Sequence, residues 1–153
     1  MPVFEERFQV GAPAETVWAL LNDPVRLAPC LPGCQALEVV DPDTYRVTLS
    51  VKVGFLSTTQ DMRMTVVEKD PPRRLVAVGR GEDRRIGSQV DVRSTLELTP
   101  GAAADTTLVR YRSEVKVLGR LGSVGDAVMK VKAAELAGEF AGRVRRAVEG
   151  TTA

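Results

Sequence analysis

Hydrophobic and polar residues alternate with a period of two over most of the chain, and the period lengthens only near its two ends. Val3 to Val10 sets Phe4, Phe8 and Val10 on one side and Glu5, Arg7 and Gln9 on the other, the pattern of a half-buried strand, with Glu6 falling on the apolar side. Gly11 breaks this strand. The following run, Ala12 to Asp23, places Pro13 where a first helical turn accepts it, and Val17, Trp18, Leu20 and Leu21 supply a buried side, so a short helix is expected. Asp23-Pro24 ends it, a second brief turn of helix is predicted from Val25 to Ala28, and Pro29, Pro32 and Gly33 redirect the chain.

From about residue 35 to 118 the alternation is nearly unbroken. Tyr45, Val47, Leu49, Val51 and Val53 oppose Arg46, Thr48, Ser50 and Lys52; then Thr58, Gln60, Met62, Met64 and Val66 oppose Thr59, Asp61, Arg63 and Thr65. Lys69-Asp70-Pro71-Pro72 turns the chain. Leu75 to Arg80, Val90 to Leu98 and Thr106 to Leu118 are further strands, separated by Gly81-Glu82-Asp83 and by Pro100-Gly101. With Leu37 to Val40 the count is seven, and the short connections imply antiparallel hairpins. Ser123 to Glu149 contains no proline and reads as one long helix. At 100° per residue, Met129, Ala133, Leu136, Phe140, Val144 and Ala147 form its core stripe, while Leu121, Val124, Val128 and Val131 form a second apolar patch nearly opposite. The predicted fold is α+β: a curved seven-stranded antiparallel sheet, two short helices after strand 1, and a long C-terminal helix over the concave face. Such a helix cannot fill a curved sheet everywhere, so an apolar pocket between the two is expected.

Length and composition narrow the chemistry. A chain of 153 residues buries about two-thirds of its unfolded surface, which suits one domain, read as 1–150 with a short tail at 151–153. There is no histidine, so neither a Ser/His/Asp nor a Cys/His nucleophile system can be built, nor a His-ligated zinc or iron site. No cofactor or metal is expected. The net charge is +1, with 21 basic and 20 acidic residues interspersed, which gives no footprint for nucleic acid. The N-terminus resembles no leader, no apolar run is long enough to span a bilayer, and two cysteines make no disulfide framework. A cytoplasmic location is expected, with peripheral contact at the inner membrane face as an option.

Within this frame a few residues carry candidate chemistry. Leu49, Val51, Gln60, Met62, Met64, Ser94, Leu96, Tyr111, Ser113, Leu136 and Phe140 are expected to line a ligand pocket, with Glu6 as a polar cavity group. Each polar member has an alternative role at a strand end or in a bond to a neighbour, and Met62 and Met64 serve equally as core filler. Cys30 and Cys34 flank a Pro-Gly turn and read as small packing residues or as a labile disulfide pair. Leu121, Val124, Val128 and Val131, flanked by Arg120, Lys130 and Lys132, would dock a partner protein, a second copy of the chain or a membrane if exposed; the alternative is a covering loop. The paired arginines 73–74, 84–85 and 145–146 read as solvated surface.

Several segments, in order and over nearly the whole chain, carry a family resemblance. They are Phe8-x-Val10-x-Ala12-Pro13-x-Glu15-x-Val17-Trp18, Cys30-Leu31-Pro32-Gly33-Cys34, Val51-Lys52-Val53-Gly54, Glu68-x-Asp70-Pro71-Pro72-Arg73-Arg74-Leu75, Thr107-x-Val109-x-Tyr111 and Gly119-Arg120-Leu121. The chain thereby resembles the CoxG branch, the carbon monoxide dehydrogenase G subunits, of the START-related (SRPBCC) superfamily. The resemblance implies a helix-grip fold and a non-catalytic accessory or carrier protein that holds a small hydrophobic molecule, lipid or quinone-like. Its implied partner is a CO dehydrogenase-type molybdenum hydroxylase. Phe55 stands where that branch is expected to carry proline, and the chain ends at Gly150-Thr151-Thr152-Ala153 without the apolar tail of many relatives, so anchoring through a tail is not expected. The alternatives are a cyclase- or dehydratase-like enzyme of the same superfamily, using groups such as Glu6 and Tyr111 for proton transfer, and an assembly factor without ligand.

Overall fold

A computed structural model describes residues 3–149, so the tail at 151–153 lies outside the described residues. Alternation becomes strand as the pattern requires: β1 (Val3–Val10), β2 (Cys34–Asp41), β3 (Thr44–Val53), β4 (Leu56–Asp70), β5 (Arg74–Asp83), β6 (Ser88–Pro100) and β7 (Thr107–Gly119). They form one antiparallel sheet in the order β1-β7-β6-β5-β4-β3-β2. The meander from β2 to β7 follows from its short connections, and β1 closes against β7 from the far side. A bulge at Val66–Glu68 bends the long strand β4.

Between β1 and β2 lie α1 (Ala14–Leu21), α2 (Pro24–Leu27) and a 3₁₀ turn, Ala28–Cys30. Pro24 at the first position of α2 lacks the N–H that would be orphaned there, and Asp23 accepts from Val25 N at 3.1 Å to cap it. The last helix, α3 (Asp126–Val148), runs across the concave face from the β3–β4 hairpin to β1. At its far end the Arg145 guanidinium donates to Gln9 O at 2.8 Å and stacks over the Phe8 ring, and Glu149 accepts from Gly11 N at 2.8 Å. These contacts tie the helix end to the edge strand.

Two boundaries differ from the pattern. Gly81-Glu82-Asp83 is not a turn but the end of β5, where Glu82 and Asp83 pair with Gln89 and Ser88; the turn is 84–87. Glycines at 79 and 81 are tolerated inside the strand because Met64 and Met62 of β4 lie across them, in the space side chains at 79 and 81 would need. The long helix also begins later than Ser123. Arg120–Val124 is a separate 3₁₀ turn, and Gly125, at φ 90°, breaks the chain direction before α3 starts. Leu121 and Val124 therefore do not share a helical face with Val128 and Val131.

Candidate functional site

Buried side chains gather in two clusters at opposite ends of the sheet. One joins Phe8, Val10, Val17, Leu20, Leu98 and Val109 to Ala141 and Val144 of α3; the other joins Val53, Leu56, Ile86, Val90 and Leu121. A 23-residue helix, about 34 Å long, bridges the two ends. Below its middle, at Leu136 to Phe140, packing against β5, β6 and β7 is incomplete. The result is a hollow of about 360 Å³. Its floor is Leu75 and Ala77 of β5, Ser94 and Leu96 of β6, and Tyr111 and Ser113 of β7; α3 contributes Leu136, Ala137 and Phe140; Leu21, Leu27, Leu31 and Pro32 come from the segment between β1 and β2. The floor residues stand side by side through the register, Leu75 opposite Leu96 and Leu96 opposite Tyr111, Ala77 opposite Ser94 and Ser94 opposite Ser113.

The lining contains no charged side chain. Its polar groups are hydroxyls. Ser94 Oγ and Ser113 Oγ lie 2.8 Å apart and bond each other, which uses one of their two O–H donors and leaves the other donor and spare lone pairs. The Tyr111 hydroxyl has no hydrogen-bond partner among the described residues, and burial, followed by the nearby negative charge of Glu6, pushes its pKa up to about 12. Tyr111 thus stays neutral and can donate one hydrogen bond. Glu6 lies opposite Tyr111 in the register but outside the hollow's lining, and no hydrogen bond joins the two side chains. Both side chains line a separate cleft of about 620 Å³, shared with Thr95, Glu97 and Arg110.

Of the residues expected to line a pocket, Ser94, Leu96, Tyr111, Ser113, Leu136 and Phe140 come together, and Leu49, Val51, Gln60, Met62 and Met64 do not. Val51 packs against the second cluster and Leu49 faces Gln60 across the β3–β4 ladder. Gln60 is 6% exposed, with Nε2 donating to Thr58 Oγ1 at 2.9 Å and Oε1 unpartnered over Gly81. The two methionines cover the glycines of β5. The reason is position across the sheet: face alternation finds the concave side of β3 and β4 but not how far α3 stands above it. Leu27 and Leu31, four apart, and Leu75 and Ala77, on the inward parity of β5, were the signals available for the missed lining.

The apolar patch at the start of α3 divides in two. Leu121 is 5% exposed, with its N–H bonded to Ser88 Oγ at 2.8 Å, and Val124 packs with it in the second cluster, so neither is a docking residue. Val128 and Val131 remain exposed, Val131 at 70%, beside a groove of about 440 Å³ shared with Lys52, Gly54 and Lys132. Cys30 and Cys34 are free thiols directed at different carbonyls, Arg26 O and Ala36 O, each at 3.6 Å. Among the described residues no group of three or more potential metal ligands occurs, and no helix is long and apolar enough to cross a membrane.

A seven-stranded antiparallel sheet gripping one long C-terminal helix, with an apolar hollow between them, defines the START-related helix-grip class. Within it, the family model for CoxG, the G subunit of carbon monoxide dehydrogenase, matches residues 7–149, and the chain belongs to that family. A conserved protein from Geobacillus kaustophilus superposes with a TM-score of 0.88 at 23% identity, over 97% of this chain and 95% of that one. A START superfamily protein from Mycobacterium smegmatis gives 0.74 at 16%, over 96% and 97%. The Zhui aromatase/cyclase from Streptomyces sp. R1128 gives 0.72 at 16%, over 99% and 96%. At these identities the likeness is one of fold. No curated protein sequence matches.

Proposed function

We propose that this protein is a carrier that holds a small, neutral, hydrophobic molecule in the hollow between sheet and α3. The observation that carries the reading is the chemistry of the lining: apolar walls, no charge, and hydroxyls of Ser94, Ser113 and Tyr111 on one side. A cavity of this size with few convergent polar groups suits a ligand whose bulk is apolar and whose polarity is one or two hydrogen-bond acceptors. A quinone ring answers that description, its carbonyls accepting from the hydroxyls; the acyl or prenyl part of a lipid is the broader class. A fatty-acid carboxylate fits less well, because the lining supplies no cation.

The test is native mass spectrometry of the purified protein before and after extraction with organic solvent. An extractable adduct, or saturable uptake of 2-methyl-1,4-naphthoquinone by the extracted protein, is expected. Protein that carries nothing and takes up no quinone would overturn the carrier reading.

Family membership supports an accessory role beside a CO dehydrogenase-type molybdenum hydroxylase, in the cytoplasm or at the inner membrane face. The docking surface in this reading is the exposed pair Val128 and Val131 with Phe55, 72% exposed at the tip of the neighbouring hairpin. Val131→Asp should abolish co-purification with the hydroxylase, or membrane association, while shifting the thermal midpoint by less than about 2 °C, because an exposed site contributes little to the core. Association that survives the charge removes this surface from the proposal.

A further inference from the structure

Among the described residues, Gln60 Oε1 is the buried side-chain polar atom that no hydrogen bond reaches, and the residue is 6% exposed. Its amide cannot turn over to relieve this. The Thr58 hydroxyl donates its one proton to the Asp83 carboxylate at 2.9 Å, so Thr58 Oγ1 has only lone pairs left, and Gln60 must present Nε2 to it, also at 2.9 Å. Oε1 is thereby held on the other side, over Gly81, where a β-carbon would lie 2.9 Å from it. Buried acceptors are rarely left without a donor, because nothing repays the water they gave up.

Gly81 belongs to the same row of β5 as the floor of the hollow. Leu75 and Ala77 line the hollow, Gly79 and Gly81 continue the row, and four residues of strand put Gly81 about 13 Å beyond Ala77. What covers that stretch is flexible. The Met64 sulfur occupies the place of a β-carbon at 79, and Met62 Cγ lies 2.7 Å from one at 81, so the row there is thioether lying on bare backbone. Both methionines are only half-buried, and an unbranched thioether changes rotamer readily. Hydrogen-bonding groups of opposite sense stand at the two ends: the hydroxyls of Ser94, Ser113 and Tyr111 in the hollow, Ser94 directly opposite Ala77, and a pure acceptor at Gln60.

We propose that Met62 and Met64 are a retractable part of the lining, and that the hollow's ligand is an elongated neutral molecule whose far end carries a hydroxyl that donates to Gln60 Oε1. This rests on the carrier reading and adds to it the ligand's length and the chemistry of its second end. Gln60 is the specificity-determining residue for that end.

Two quinones that differ in one group test it: decylubiquinone, and idebenone, whose decyl chain ends in a hydroxyl. In titration calorimetry idebenone is expected to bind the parent about tenfold more tightly than decylubiquinone, and Gln60→Met, unbranched and of similar length but without the acceptor, should bind the two alike. Methyl NMR supplies a readout that needs no variant. Of the four methionines, Met62 and Met64 should shift with idebenone and not with 2-methyl-1,4-naphthoquinone, which is too short to reach them. Equal affinity of the parent for the two long quinones, a preference for idebenone that survives Gln60→Met, or unshifted Met62 and Met64 methyls in idebenone-loaded protein would each overturn the extension and leave the carrier reading standing. If none of the three quinones binds, the extension and the carrier reading fall together.

Discussion

An Ala77→Trp variant should fold with a thermal midpoint no lower than that of the parent and lose its affinity for 2-methyl-1,4-naphthoquinone by about a hundredfold or more. Ala77 is the smallest side chain on the hollow's sheet floor, opposite Ser94 on β6 and facing Leu136 and Phe140 across the gap. Overpacking is costly where a core is already full. Here about 360 Å³ is open, so an indole can occupy it and bury its own surface in place of a ligand's. The midpoint provides the readout. A ligand that binds only the folded state at a hundred times its Kd adds about 2.7 kcal/mol, equivalent to about 5–10 °C for a domain of this length. That shift should appear in the parent and vanish in Ala77→Trp. The paired change Ser94→Ala with Ser113→Ala separates shape from polarity: it should weaken the quinone by about tenfold and leave a hydrocarbon of similar size unaffected. A quinone-dependent shift retained in Ala77→Trp would place binding elsewhere and remove the carrier reading from this hollow.

The sheet and the gripping helix were legible because their signals are local and repeated. Six period-two runs with short connections admit one antiparallel meander, which β1 joins beside β7, and the resemblance in the segments around Ala12-Pro13, Cys30 to Cys34 and Asp70 to Arg74 reached the same fold independently. The site was half legible. Parity puts Ser94, Leu96, Tyr111 and Ser113 on the inner face, and the 3.6-residue period puts Leu136 and Phe140 opposite them. Depth is not local: whether an inner-face residue meets the helix, a glycine or a void depends on where α3 crosses. That is why Met62 and Met64, identical in pattern to a pocket lining, spread over Gly81 and Gly79 instead. The docking patch divided for another reason. Helical periodicity does not carry through Gly125, whose φ of 90° interrupts the helix and turns Leu121 into the second core cluster.

Reading Gly81-Glu82-Asp83 as a turn hides the most consequential buried charge in the molecule. With β5 continued to its end, Leu75, Ala77, Gly79, Gly81 and Asp83 share one face, and Asp83 is 5% exposed. Its carboxylate accepts from Thr58 Oγ1 at 2.9 Å, Thr59 N at 3.0 Å and Arg85 N at 3.1 Å, with the Arg85 guanidinium at 3.6 Å; Thr58 Oγ1 in turn accepts from Gln60. Burial favours the protonated form, but the Thr59 and Thr58 bonds, the Arg85 charge and the Arg85 N–H outweigh it, so the folded-state pKa lies below the ordinary 3.8. Asp83→Ala leaves these donors without an acceptor and should cost about 3 kcal/mol, or about 6–12 °C in midpoint, a large share of the stability of a single domain. The pH dependence fixes the sign. A carboxyl whose pKa is lower folded than unfolded stabilises fully above the unfolded value; that contribution declines as pH falls below about 3.8 and is gone once pH has passed the folded value. Asp83→Asn keeps the shape and cannot titrate, so its deficit relative to the parent should be present at pH 7 and shrink through that acid window. Equal midpoints for parent and Asp83→Asn at neutral pH, or a deficit that does not change with acid, would mean the carboxylate is held by the turn's geometry and contributes nothing by its charge. The stakes reach the hollow, because Asp83 bonds β4 to β5 one strand-end away from the glycines that seat Met62 and Met64. Loosening that end should free the methionines to enter the space a ligand would take.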